Sequence, residues 1–419
     1  MITKNKHRVI YNSILIIALM IVFMSLAACW KPFMQYNDST GYVKYRWSGF
    51  SAWFTGQRFG VQRDYYLKRQ FNGQDGPYLF YEQEKYIGYE VSGSNRLITK
   101  FINPGDSFMV RIPNADQDSF SVIIRKHNAI QSAEWPEPSK MVVISDIEGN
   151  FSGLYGFLLR NKVIDKNYNW IFGNGHVVFL GDFVDRGPHT IQVLWLIYSL
   201  EEKAIRSNGR VHYILGNHEV MNIQGIAKDA DPKSVKLSQE ITGKENWKDA
   251  YKVLYSSKSV MGEWLRSKNA IEKIGKTLFV HGGISPKILA FRPDITTIND
   301  LIRQSLDSNL YDHYDRMDLS ALIAGREGVL WYRGLVQSYK YYEKATPIDF
   351  DKILQHFQVT KIVIGHTLNK DIATDFNGGL IKIDVLHGQS KYTGATKGLF
   401  YENGFFWEVN DLGDTSSLN

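Results

Sequence analysis

The 419-residue chain has one cysteine, Cys29, which leaves no thiolates for a structural zinc site and no stray thiol for an oxidising compartment. Proline is scarce, with 11 residues against 35 glycines, and charged residues make up 22%. With 44% hydrophobic residues, this composition excludes a disordered, collagenous or multi-span membrane protein and leaves a folded one with a core. No basic run interleaved with aromatics is present. The net charge of +6 falls to +3 once Lys4, Lys6 and Arg8 are set aside as part of a removable leader, which is too little to imply nucleic-acid binding. The length suggests two or three domains, or one large α/β domain with an appendage.

The one long apolar run is at the start. Lys4, Lys6, His7 and Arg8 precede Ile14 to Met24, and the run ends at Ser25-Leu26-Ala27-Ala28-Cys29. Charge, short apolar core and small residues in that order are the pattern of a secretory signal. An uncleaved anchor is the alternative, because Val9 to Ala28 is nearly long enough to span a bilayer. Leu26-Ala27-Ala28-Cys29 resembles the lipobox of bacterial lipoproteins, which implies a signal peptide over 1–28 and acylation of Cys29. Several acyl chains on one residue would hold the exported protein to a lipid bilayer. Trp30-Lys31-Pro32-Phe33 follows without an acidic residue, so the choice between periplasmic and cell-surface sides stays open.

Residues 29–138 read as a small β-rich domain and linker. Aromatic and apolar runs such as Tyr42 to Trp47, Tyr78 to Tyr81, Tyr86 to Val91 and Phe120 to Ile124 are punctuated at Asn72 to Pro77 and Asn103 to Asp106. Pro136-Glu137-Pro138 marks the linker. From Met141 the pattern becomes strand, turn, helix, repeated. Apolar strands run directly into Asp146-Ile147-Glu148-Gly149-Asn150, Gly181-Asp182-Phe183-Val184-Asp185-Arg186-Gly187, Gly216-Asn217-His218-Glu219, His281-Gly282-Gly283 and Gly365-His366-Thr367. Alternation of this kind predicts an α/β sheet whose functional groups gather at the carboxyl ends of the strands. Asp, Glu, Asn and His converging there supply hard oxygen and imidazole donors for two adjacent divalent ions.

These five clusters, in this order, resemble the calcineurin-like metallophosphoesterase superfamily, and within it the phosphoprotein-phosphatase branch that includes the Shewanella-like protein phosphatases. The likeness runs from about Met141 to Asp411 and implies a metallophosphatase domain over 139–419, a β-sandwich flanked by helices. It implies a metal-dependent phosphatase that hydrolyses phosphomonoesters directly, two cations lowering the pKa of a shared water. Carried over by motif, Asp146 and Asp182 hold the first metal, Asp182 bridges to the second, and Asn217, His281 and His366 complete the ligand set of that second ion. His218 corresponds to the proton donor to the leaving group and Asp185 to its orienting partner; Arg186 and Arg333 correspond to phosphate clamps.

Two departures stand out. Glu148 replaces the family's histidine in Asp-x-His-Gly; as a ligand it would favour manganese, with iron or zinc as alternatives. Leu368 stands where the wider superfamily has a last histidine, as in the phosphoprotein-phosphatase branch, and His387 is a candidate for the vacancy. The implied substrate is phosphoserine, phosphothreonine or phosphotyrosine in proteins, with small phosphomonoesters, nucleotides and phosphoglycans equally open. Polar segments at Met221 to Lys258 and Phe291 to Tyr314 would border the pocket. The competing reading is a non-enzymatic surface lipoprotein that binds glycan or peptide through its β domain, its second domain degenerate.

Overall fold

The run His176-Val177-Val178-Phe179-Leu180, buried along its whole length, belongs to a strand covered on both faces, and the rest of the fold results from covering it and its neighbours. The computed structural model describes residues 12–22, 33–37, 42–48, 60–66, 73–126, 128–308 and 318–418. Cys29 and the residues around the expected cleavage point lie outside this set. Residues 12–22 are helical, and no helix among the described residues is long and apolar enough to cross a membrane.

The chain forms two compact units, Met1–Gln70 and Phe71–Asn419. In the first, β1 (Phe33–Asn37), β2 (Tyr42–Ser48) and β3 (Gly60–Tyr66) form an antiparallel sheet. The second begins with the antiparallel sheet β4 (Asp75–Glu82), β5 (Lys85–Val91), β6 (Leu97–Ile102) and the hairpin β7 (Ser107–Arg111), β8 (Ser119–Ile123). The sequence pattern puts a boundary at 138, but these strands are fastened to residues far beyond it. Trp195 Nε1 donates to the Pro77 carbonyl at 2.8 Å, and Phe108 meets the Trp195 ring edge-on at 4.9 Å. The Tyr81 amide donates to the Lys258 carbonyl at 3.0 Å.

The remainder is a two-sheet sandwich. After β9 (Glu134–Trp135) come β10 (Lys140–Ile144), α1 (Phe151–Arg160), β11 (His176–Leu180), α2 (Thr190–Arg206), β12 (Arg210–Ile214), then α3 (Asn217–Ile223), α4 (Pro232–Thr242), α5 (Trp247–Leu254) and α6 (Val260–Arg266). Strands β13 (Ile271–Ile274) and β14 (Thr277–Val280) precede α7 (Ile295–Ser305), α8 (Leu319–Ala324) and α9 (Pro347–Phe357). The chain closes with β15 (Lys361–Ile364), β16 (Ala373–Asp375), β17 (Leu380–Lys382), β18 (Lys397–Glu402), β19 (Phe405–Asn410) and β20 (Thr415–Ser417). One sheet has the order β12-β11-β10-β18-β19-β20 and the other β16-β17-β15-β14-β13-β9. Strands β10, β11 and β12 run parallel, as do β14, β15 and β17, so their carboxyl ends open on one edge.

Between the sheets lies a core that includes Val143, Val178, Leu180, Phe279, Val363 and Leu399, all fully buried. Helix α2 packs on β12 and α7 on β13, which covers the outer faces. The helices begin where the sequence offers caps: Asn150 accepts from the Gly153 amide, Asp294 from Thr297, and Thr346 with Asp349 closes a capping box on α9.

Candidate active site

Each predicted cluster leaves a strand at that shared edge and turns at once. The turns are tight enough to place Asp146, Glu148, Asp182, Asp185, Arg186 and His366 all at positive φ, between 51° and 69°. For residues with a Cβ this conformation costs on the order of 1–3 kcal/mol each, and such residues gather where side chains must be aimed. Close approach is the second requirement. A Cβ on Gly365 would lie 2.5 Å from Asp146 Oδ2, so the β15 turn reaches the carboxylate only because that residue is glycine.

The result is a cleft of about 500 Å³ whose walls include Asp146, Asp182, Asn217, His218 and His366. At its base Asp182, His281 and His366 are buried, with one donor atom from each lying within 4.8 Å of the others. Hydrogen bonds to backbone carbonyls select which nitrogen of each imidazole faces inward. His281 Nδ1 donates to the Leu180 carbonyl at 2.8 Å, leaving Nε2 3.0 Å from Asp182 Oδ2 and 3.2 Å from Asn217 Oδ1. His366 Nε2 donates to the Trp331 carbonyl at 3.2 Å, which leaves Nδ1 as its donor to the cluster. An imidazole tied to a carbonyl through its other nitrogen is the usual arrangement of a metal ligand.

The electrostatics fit a cation as well. Burial pushes the Asp146 carboxyl well above the ordinary range, and the nearby Asp384 charge adds to this. Burial works to raise Asp182 too, but His281 and His218 overcome it and hold the carboxyl below its usual value. Burial disfavours charge on His281, yet Asp182 and Asp146 push its imidazolium up to about 10, while burial and that same His281 charge drive His366 well down. Carboxylates this deeply buried require a compensating positive charge, and a divalent ion among these oxygen and nitrogen donors supplies it.

His218 sits beside this cluster. Its Nδ1 donates to Asp185 Oδ2 at 2.7 Å, and Asn222 Nδ2 donates to Asp185 Oδ1 at 3.0 Å. The other ring nitrogen, Nε2, lies 3.3 Å from Arg186 Nη2 and 3.9 Å from Asp182 Oδ2. Burial lowers the His218 pKa, but Asp182 and Asp185 outweigh it and leave it raised. Arg333 enters from the other side, donating through Nη1 to the His366 carbonyl and to Thr367 Oγ1.

A model of calcineurin-like phosphoesterases matches residues 139–370. The chain belongs to that family. Shewanella-like protein phosphatase 1 of Plasmodium berghei is 28% identical over 63% of the chain and 70% of its own length. Shewanella-like protein phosphatase 2 of Arabidopsis thaliana is 23% identical over 73% and 83%. The crystal structure of a cold-active protein-tyrosine phosphatase from a psychrophilic Shewanella species matches with a TM-score of 0.71 at 29% identity, covering 83% of this chain and all of that one. The phosphoesterase is therefore a metal-dependent phosphatase, and the competing reading of a degenerate, non-enzymatic domain falls.

Two of the candidate residues have other partners in the phosphoesterase's structure. Glu148 lines the cleft, but its carboxylate is paired to the Arg186 guanidinium. His387 has both ring nitrogens engaged by backbone: Nε2 donates to the Ser145 carbonyl at 2.8 Å and Nδ1 accepts from the Lys397 amide at 3.4 Å. Burial holds it neutral, with a pKa of about 4, and it fills no vacancy. Of the two polar segments expected at the pocket, the first contributes Lys228 and Asp229 to the cleft wall. The described part of the second contributes none.

Two residues carry more than the sequence assigned to them. Glu219 is fully buried and accepts from the amides of Asp182, Phe183 and Gly216 and from the Tyr213 hydroxyl, at 2.7 to 3.0 Å. It therefore holds the Asp182 turn against α3. Asp384, two residues after β17, lines the cleft near Asp146. Its signal was the strand-ending Ile381-Lys382-Ile383-Asp384, the same apolar-then-acid pattern as the other clusters.

Proposed function

We propose that this phosphatase removes the phosphoryl group from phosphorylated protein side chains, tyrosine foremost, using two bound manganese ions. The observation that carries the reading is a single cleft holding the Asp182, His281, His366 cluster, the Asp185–His218 pair and the Arg186 and Arg333 guanidinium groups. The leucines at its mouth, Leu368 and Leu386, are 63% and 79% exposed and support an aromatic or peptide substrate over a small polar one. The Shewanella protein-tyrosine phosphatase supports the same choice.

Asp146, Asp182, Asn217, His281 and His366 would hold the ions, which when bound supply Lewis acidity toward phosphate oxygens and water. Arg186 and Arg333 orient the phosphate, their planar forks matching paired oxygens. His218, oriented by Asp185, delivers a proton from Nε2 to the departing oxygen. No side-chain nucleophile is required.

Hydrolysis of p-nitrophenyl phosphate and of matched phosphotyrosine, phosphoserine and phosphothreonine peptides, measured after chelation and after adding manganese, tests this. Activity lost on chelation, restored by manganese and highest on phosphotyrosine is expected. A chelated protein that keeps its full rate, or a preference for nucleotides or sugar phosphates, overturns it. We further propose that the chain is exported and anchored to a bilayer through acylated Cys29. Its basis is the Lys4 to Cys29 pattern, and it fails if the Cys29→Ser variant fractionates with membranes as the wild type does.

A further inference from the structure

The two metal positions implied by the family are unequally provided for in this chain. The second has Asp182, Asn217, His281 and His366, with both imidazoles preset by carbonyls. The first has lost two imidazoles, because Glu148 and Leu368 stand where the superfamily has histidine. Leu368 is exposed and offers no donor atom. Glu148 is drawn to the Arg186 guanidinium, and His387 spends both nitrogens on backbone groups.

One buried group at that corner is uncommitted. Asp384 is 6% exposed and faces the cleft, and among the described residues its carboxylate has no hydrogen-bond donor or ion-pair partner. It follows β17, whose pairing with β15 brings it to the side of the cleft where Asp146 stands, and Ile383 donates its amide to the Ile364 carbonyl at 2.9 Å in the turn next to His366. The Asp146 carboxylate accepts the His366 amide at 3.2 and 3.3 Å, one amide shared between two oxygens, with the Ser145 hydroxyl beside it. Two buried carboxylates so poorly provided with donors are unfavourable in a folded protein without a cation between them.

We propose that Asp384, not Glu148, completes the first metal's ligand set together with Asp146 and Asp182. The pair of sites is then chemically asymmetric. The first is an all-carboxylate position that takes a hard ion, and the second is a mixed oxygen and imidazole position that tolerates softer ones. Glu148 is left free to act on Arg186 instead. This assignment rests on the two-ion reading above, and the experiment separates them.

The full chain is stripped with a chelator and titrated with Mn2+, with stoichiometry read by mass spectrometry of bound metal. Low-temperature electron paramagnetic resonance reads spin coupling, and pulsed methods read imidazole nitrogen. The wild type is expected to bind two Mn2+ ions as a coupled pair. Asp384→Asn is expected to bind one, uncoupled and with imidazole nitrogen among its ligands, and Glu148→Gln to keep the coupled pair. A coupled pair in Asp384→Asn, or its loss in Glu148→Gln, overturns the assignment. A wild type that binds fewer than two ions defeats the two-ion reading, and the assignment with it. Should Asp384→Asn fail to fold by circular dichroism, Asp384→Glu decides: the carboxylate is kept but misplaced, so one Mn2+ should weaken about 10-fold or more, and unchanged affinity overturns the proposal.

Discussion

His218 makes a prediction that depends on the leaving group. A proton donor matters most when the departing oxygen is a poor leaving group, and little when it is a stabilised phenolate. His218→Ala is therefore expected to lower kcat about 10²- to 10⁴-fold on phosphoserine peptides and much less on p-nitrophenyl phosphate, with melting temperature nearly unchanged. Equal losses on both would remove the proton-donor role. Glu148 makes the opposite kind of prediction. Its carboxylate competes with phosphate for Arg186, so Glu148→Gln should tighten inhibition by inorganic phosphate several-fold and lower KM. Unchanged or weaker phosphate inhibition in steady-state assays would show that the pair does not face the substrate.

Among elements, the strand-to-loop turns carry the site, and glycine makes them possible. Gly365→Ala would bring its Cβ against Asp146 Oδ2 and then the Ser145 side chain, not against backbone. The fold should survive with a melting temperature within a few degrees, while bound manganese falls and kcat drops about 100-fold, the scale on which a small misplacement acts. Full metal content with normal turnover would mean the carboxylate can move aside freely. Glu219 is the stability counterpart. Glu219→Ala strands four buried donors and should cost about 3 kcal/mol or more in urea unfolding. A smaller cost would mean water replaces the carboxylate.

The same elements show how far the sequence was legible. Strand-ending clusters at Asp146, Asp182, Asn217, His281 and His366 were readable because an apolar run ending in a metal donor is a local pattern; the structure brings four of these residues to one cleft and sets the buried His281 against two of them, Asp182 and Asn217. The strand, turn and helix expected from Met141 onward appear as Lys140–Ile144, the Asp146 turn and Phe151–Arg160. What was not legible is partner choice. Nothing local to Glu148 says that Arg186, brought back by its own left-handed turn, will capture it, nor that His387 will spend itself on Ser145 and Lys397. The β4 to β8 region failed for a similar reason. Its alternating strands read as a domain because the contacts that tie them to Trp195 and Lys258 span more than a hundred residues.

At the scale of the whole molecule those contacts forbid a simple truncation. A chain beginning at Ser139 would expose the α2 face that β4 and β7 cover, and is expected to be insoluble or inactive where one beginning at Phe71 is active on p-nitrophenyl phosphate. Full activity from the shorter chain would restore the boundary at 138. Stability against acid is the other global property fixed by the fold. Burial, with smaller contributions from His212 and Arg210, holds His176 neutral down to about 3, and burial beside Lys233 holds His189 neutral down to about 4. Unfolded, each would take a proton near pH 6.5, so the folded state loses ground as pH falls below 6.5 and keeps losing until the folded pKa is passed. At pH 5 the penalty is roughly 2 kcal/mol per histidine. His176 is the better probe, since its Nδ1 sits 3.0 Å from His212 Nε2, whose other nitrogen pairs with Glu272 at 2.7 Å, and it stands at the start of β11, the end opposite the Asp182 turn. His176→Gln keeps a polar partner for His212 and removes the titration. The difference in unfolding free energy between pH 7.5 and 5 should therefore be smaller in the variant than in the wild type; identical differences in urea titrations would show that His176 is protonated as readily in the folded chain as in the unfolded one.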